Sequence, residues 1–159
     1  NFCAVPLKIR VGEKEYVDGP DVDLEDMVEV LKAYKGKSSS SCPNVQEWLD
    51  AFGDNDVVFG VTITSNLSGS YNSAVDAMHL FQETYPDKKI YIVDSLSTGS
   101  EQDLIVNKLE ELILAGKSFE EIVEEMISRK QGCLPHLQGC SGRQCAPSPY
   151  RSSAVSQMH

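Results

Sequence analysis

No apolar run in the 159 residues approaches the ~18 needed to cross a bilayer, so no membrane span is expected. There is no signal-peptide pattern; the chain opens without Met, within what reads as a strand, and its N-terminus is expected to be trimmed. Basic residues are scarce. Fourteen Lys and Arg face 24 Asp and Glu, for a net charge of −10. That balance argues against nucleic acid and against anionic membranes as partners. Histidine is scarcer still, at His79, His136 and His159. Five cysteines, an odd number, do not read as a disulfide framework, and a reducing cytoplasm is the expected compartment. Phosphate-loop and dinucleotide fingerprints are missing, and so is the G-x-S-x-G elbow of serine hydrolases.

What is present is a chain 41% hydrophobic, enough for one domain with a core. Strand patterns at 2–11, 15–17, 57–63 and 89–94 alternate with helical patterns. Asp23 caps a helix running to about Tyr34, with Leu24, Met27, Val28 and Leu31 on one face. Asn44 and Glu47 form a capping box before Trp48, Leu49 and Phe52. Further helices follow: one with Ala74, Val75, Met78 and Phe81, one ending at Gly116, and one capped by Ser118. Pro6 suggests a sheet edge. The pattern predicts an α/β domain over 1–131, a mainly parallel sheet flanked by helices. From Gly132 to His159 periodicity stops, and this reads as an irregular tail open to disorder. Cys133, His136, Cys140 and Cys145 lie there in a spacing that matches no strong zinc pattern, so no metal is expected.

Three small-residue loops follow or precede these elements. Thr64 to Ala74 joins a buried strand to a helix, and the carboxyl ends of such strands are where ligands bind in open α/β sheets. Ser68 is placed to cap the helix, Gly69 lets a ligand approach, and the first-turn amides, Ser70 included, favour an anion. A cap serving only its own helix is the competing reading. Ser38–Pro43, with Ser40 and Ser41, could add hydroxyls to the same anion or serve as a linker, the reading its composition favours. Asp94 and Ser95 open a third loop, read first as a turn and cap. No base is evidently paired with Ser68, which weakens a serine-enzyme reading.

The order of these segments resembles the DegV family of bacterial fatty-acid-binding proteins. Val5-Pro6-Leu7-Lys8-Ile9 and Tyr16-Val17-Asp18-Gly19 are similar to its start. Ser40-Ser41-Cys42-Pro43 stands where the family has Thr-Ser-Gln-Pro. Thr64-Ser65-Asn66-Leu67-Ser68-Gly69-Ser70-Tyr71-Asn72-Ser73-Ala74 looks like its Ser-Ser-x-Leu-Ser-Gly-Thr-Tyr-x-Ser-Ala, and Val93-Asp94-Ser95 like its Val-Asp-Ser. The match covers residue 3 to about 131, the N-terminal domain alone. The family's first strand and its second domain have no counterpart here, and the tail from Gly132 does not resemble its next segment. The resemblance implies a non-catalytic carrier that binds one long-chain fatty acid without a cofactor and presents it to a fatty acid kinase. Its carboxylate grip falls on Ser40 and Ser68, with Gly69, Ser70, Ser41, Asp94 and Ser95 as further candidates. The alternatives are a fragment without retained activity and a serine-dependent hydrolase or phosphate-binding enzyme.

Overall fold

A computed structural model describes residues 2–132 and 154–158. Its centre is a parallel strand pair, β5 (Val57–Thr62) and β6 (Lys89–Asp94), in register from Val57 opposite Lys89 to Thr62 opposite Asp94. Both are apolar along nearly their whole length because helices cover both faces. Successive side chains point to opposite sides. Val58, Ile90 and Ile92 pack with α2 (Val45–Phe52) and α3 (Ser70–Thr84) through Trp48, Phe52, Ala74, Ala77 and Phe81. Phe59, Val61 and Val93 pack with α4 (Glu101–Leu114) and α5 (Phe119–Gly132) through Val106, Leu109, Ile122 and Met126. Leu109 and Ile122 are fully enclosed, each contributing about 1.5–3 kcal/mol of transfer free energy. The architecture is thus helix, sheet, helix, as the alternating pattern predicts.

Two further strands extend this sheet in the order β1-β7-β5-β6. β1 (Phe2–Ala4) lies at the edge, and β7 (Ala154–Met158) is antiparallel to both β1 and β5. Three of the four strands, β1, β5 and β6, therefore run the same way. β7 falls within the stretch after Gly132 read as an irregular tail, of which residues 133–153 and 159 lie outside the described residues. Five residues carry too little periodicity to announce a strand; the edge of β5 opposite β6 supplies the partner. The cysteines and His136 of the zinc-like spacing lie outside the described residues.

A second, antiparallel sheet runs β3-β2-β4. β2 (Lys8–Val11) and β3 (Lys14–Val17) form a hairpin closed at Gly12, whose φ of 62° suits glycine. The expected strand over 2–11 is thus two strands, broken at Val5-Pro6-Leu7, where proline cannot donate to a ladder. β4 is Ser38–Ser41, paired antiparallel to β2 with Ile9 opposite Ser40. This corrects the linker reading of the serine run. Serine has little strand preference of its own, and the free edge of β2 decides the conformation.

α1 (Leu24–Ala33) begins where expected, with Asp23 accepting the Asp26 N–H at 2.9 Å. Its apolar stripe does not enter the core. No residue of α1 is buried, and Leu24 and Val28 are 47% and 41% exposed. Among the described residues no helix is long and apolar enough to cross a membrane.

Candidate ligand site at the carboxyl ends of the central strands

The loop from Ile63 to Gly69 leaves the carboxyl end of β5 and is tightly self-bonded. The Thr64 carbonyl accepts the N–H groups of Leu67 and Ser68 at 3.1 and 3.2 Å, and the Thr64 hydroxyl oxygen accepts the Asn66 N–H at 3.3 Å. The chain then enters α3. Gly69, not Ser68, is the N-cap, which corrects the capping assignment by one residue. The cap carries no side-chain hydrogen bond, unlike the Asp23 and Asn44 caps of α1 and α2. Ser68 Oγ accepts the Ser70 N–H at 3.2 Å, and the hydroxyl still has its own proton to donate. Ser68 thus serves its own helix in part and keeps a donor for something else.

β4 brings the second serine loop to the same place. A Cβ built on Gly69 would lie 3.4 Å from Cys42 Sγ, so the start of α3 and the segment after β4 are in close approach. Between them opens a cleft of about 390 Å³, with Ser40, Ser41, Ser68 and Ser70 supplying polar atoms and Leu7, Ile63 and Leu67 the apolar wall. Ser40 and Ser41 are exposed, Ser68 is half-buried and Ser70 is buried. Hydroxyls and a helix start can hold an anion without a permanent cation.

Asp94 and Ser95 do not line this cleft. They are 6% and 8% exposed and spend their polar atoms on the loops themselves. Asp94 accepts the Ser65 hydroxyl at 2.6 Å and the N–H groups of Ser65 and Leu96 at 3.2 and 3.1 Å. Ser95 donates its hydroxyl to the Ser97 carbonyl at 3.0 Å. Sequence reasoning misses Leu7, Ile63 and Cys42 as wall residues. The signal for Ile63 is present: an apolar residue after a buried strand, at the end where ligands gather. Leu7 has no such signal, because the Pro6 break places it.

A second cleft of about 410 Å³ lies between β3 and the start of α1, lined by Glu15, Asp21 and Asp23 among others. Its charged side chains are acceptors, which repel an anion, and no described group of three His, Cys, Asp or Glu could hold a metal ion. The serine cleft is the better site on chemistry. His79, the histidine among the described residues, lies on α3 nine residues beyond Ser70 (79 − 70), roughly 14 Å along the axis. It is out of reach as a base for Ser68.

The model of the DegV family, described as uncharacterised protein, matches residues 1–134. A DegV domain-containing protein of Streptococcus pneumoniae strain R6 is 44% identical over 130 residues, 82% of this chain and 46% of that protein. One from Streptococcus gordonii is 45% identical over 126 residues, 79% and 45% of the two chains. The chain spans about half the length of the curated relatives it matches. Among solved structures, a DegV family protein of Eubacterium eligens loaded with heptadecanoic acid superposes with a TM-score of 0.77 at 41% identity, covering 80% of this chain and 46% of that one. The Streptococcus pneumoniae Fatty Acid Kinase B3 protein loaded with linoleic acid gives 0.76 at 44%, covering 80% and 45%. A stearic acid-binding protein of Eubacterium ventriosum gives 0.63 at 33%, covering 77% and 44%. With a family model spanning most of its length and relatives above 40% identity, the chain belongs to the DegV family.

Proposed function

We propose that the cleft between β4 and α3 binds the carboxylate of a long-chain fatty acid, and that the protein is a non-catalytic carrier presenting it to a fatty acid kinase. The observation that carries this reading is the convergence of Ser40 and Ser41 with Ser68, Gly69 and Ser70 on one cleft whose other wall is Leu7, Ile63 and Leu67. A fatty acid needs a few neutral donors at one end of an apolar slot, and the cleft volume is at the low end of the ~300–1,000 Å³ of small-molecule sites. The Ser68 hydroxyl donates directly, the Gly69 and Ser70 region offers the start of α3, and Ser40 donates from β4. The fatty acids bound by solved relatives support the ligand class, and the kinase-named relative supports the partner. No cofactor is needed for this task.

Native mass spectrometry of the protein purified from cells tests the reading, together with titration of oleate into the wild type and Ser68→Ala. A co-purified acyl species, and weaker oleate binding by the variant, are expected. The absence of any acyl species together with equal binding by the two proteins would sink it.

A further inference from the structure

We infer that Asp94 is a positioning residue for the cleft, acting through the loop that carries Ser68 without touching the ligand; this deepens the fatty-acid reading and rests on it. Asp94 is the last residue of β6, and its carboxylate reaches across to the loop after β5. Oδ2 accepts the Ser65 hydroxyl at 2.6 Å, and Oδ1 accepts the Ser65 N–H at 3.2 Å. The same Oδ1 accepts the Leu96 N–H at 3.1 Å. One buried carboxylate therefore ties both loops at the carboxyl ends of the central strands.

Both tied residues matter for geometry. Leu96 has a φ of 55°, the one positive φ outside glycine among the described residues, and its hydrogen bond to Asp94 helps to hold it there. Ser65 adjoins Thr64, whose carbonyl holds the Leu67 and Ser68 amides and whose own N–H donates to the Ser97 carbonyl at 2.9 Å. The path from Asp94 to the ligand is thus Ser65, the Thr64–Ser68 turn, and the Ser68 hydroxyl. A binding group must be held within about 0.5 Å of its productive position, and this turn has no regular secondary structure to hold it. An anionic side chain inside the cleft would repel a carboxylate. Placed behind the loop and occupied by three donors, Asp94 organises the grip from outside.

The substitutions separate geometry from charge. Asp94→Ala removes all three acceptor contacts. Asp94→Asn keeps Oδ1 for both amides and turns the Ser65 contact round, the new amide donating to the hydroxyl oxygen. Ser65→Ala removes the side-chain contact alone. Oleate binding to the full chain should weaken at least tenfold in Asp94→Ala, severalfold in Ser65→Ala, and recover in Asp94→Asn to near the wild-type value. Amide NMR shifts and hydrogen exchange in the absence of oleate should change at Ser65 and Leu96 in Asp94→Ala, and also at Leu67 to Ser70. Wild-type binding by Asp94→Ala, Asp94→Asn as weak as Asp94→Ala, or unmoved amides at Leu67 to Ser70 would each overturn the inference. Should Asp94→Ala not fold, Ser65→Ala decides: unchanged binding together with unmoved amides at Leu67 to Ser70 overturns it. If the wild type itself ignores oleate, the fatty-acid reading fails, while the amide response still decides whether Asp94 positions the loop.

Discussion

Tyr16 donates its hydroxyl to Asp26 Oδ2 at 2.6 Å, and Lys14 donates to both oxygens of the same carboxylate at 2.8 and 3.0 Å. This cluster fastens α1 to β3, although α1 buries none of its own residues. The attachment is polar where most helices attach by apolar packing. It leaves a mark on each group. The hydrogen bond from Lys14, then that from Tyr16, holds the Asp26 carboxyl below its ordinary value of 3.8. Burial, then the bond to Asp26, pushes the Tyr16 hydroxyl above its ordinary 10.0.

Acid should therefore loosen α1 before it unfolds the core. A carboxyl whose folded value is depressed contributes stability above its unfolded value, here 3.8, and loses it as pH falls through the folded value. Tyr16 works at the other end. Its raised value means its contribution is intact below pH 10.0 and fades as pH rises beyond that. Hydrogen exchange of the α1 amides should accelerate severalfold in Tyr16→Phe at neutral pH, and further in Asp26→Ala, with β5 and β6 amides unchanged. Unchanged exchange in α1 for both variants would contradict this account of the attachment.

Gly60 should be replaceable only if its neighbour gives way. A Cβ there would sit 2.7 Å from Ile92 Cδ1 and 3.7 Å from Trp48 Cζ3. Gly60→Ala is expected to cost about 1–3 kcal/mol through overpacking. Ile92→Val, which deletes the clashing methyl, should cost about 0.5–1.5 kcal/mol alone. The double variant should be more stable than the sum of the two predicts, by about 1 kcal/mol. Urea unfolding of the four proteins reads this directly, and strict additivity would mean that the clash is relieved elsewhere.

The alternation of apolar strands with periodic helices is legible because local pattern and final burial agree. Trp48 and Phe52 fall on the face their spacing predicts and are fully buried. The Asn44–Glu47 capping box needs no tertiary information, and its two hydrogen bonds, 2.8 and 3.0 Å, are made within one turn. Legibility ends where a distant segment decides. Ser38–Ser41 is a strand only because β2 offers an edge, and Ala154–Met158 only because β5 does. Leu24, Val28 and Leu31 have the spacing of a core face, but the spacing does not say what lies opposite. At the site, Ser40 and Ser68 are legible as hydroxyls beside helix starts. The division between lining residues and the loop-tying Asp94 depends on side-chain direction, which the motif Val93-Asp94-Ser95 leaves open.

The start of α5 should carry a second acid-sensitive element. Glu121 accepts the Ser118 N–H at 2.9 Å, and Ser118 Oγ accepts the Glu121 N–H at 3.3 Å, so Ser118 is the expected cap and Glu121 closes a capping box that the sequence reading did not name. The Ser118 backbone N–H above all, then the Lys117 ammonium, pull the Glu121 carboxyl from 4.5 down to about 2. Its contribution is present above pH 4.5 and is lost as pH falls from there toward 2. Carboxyl NMR titration should find Glu121 well below an ordinary glutamate. Glu121→Gln should flatten the pH dependence of α5 amide protection across that window. An ordinary titration for Glu121 would remove the basis for this effect.

Gly69 should tolerate a side chain for folding and resist it for binding. The position is the N-cap of α3 at φ −70°, which any L-residue adopts without strain. Its nearest neighbour would be Cys42 Sγ at 3.4 Å, an ordinary contact for a methyl group. Gly69→Ala should therefore leave thermal stability within about 1 kcal/mol of wild type, as surface substitutions commonly do. The larger Gly69→Val should fill the gap between β4 and α3 and weaken oleate binding at least tenfold, with the fold preserved. Cys42 supplies an independent readout, since it lines the same cleft and its thiol is free. Bound oleate should slow its alkylation by iodoacetamide, followed by mass spectrometry of the Cys42 peptide, while Cys3 reacts at the same rate with and without ligand. Equal protection of both thiols would point to a global change. No protection of Cys42 in a wild type that binds oleate would place the ligand elsewhere than between Ser40 and Ser68.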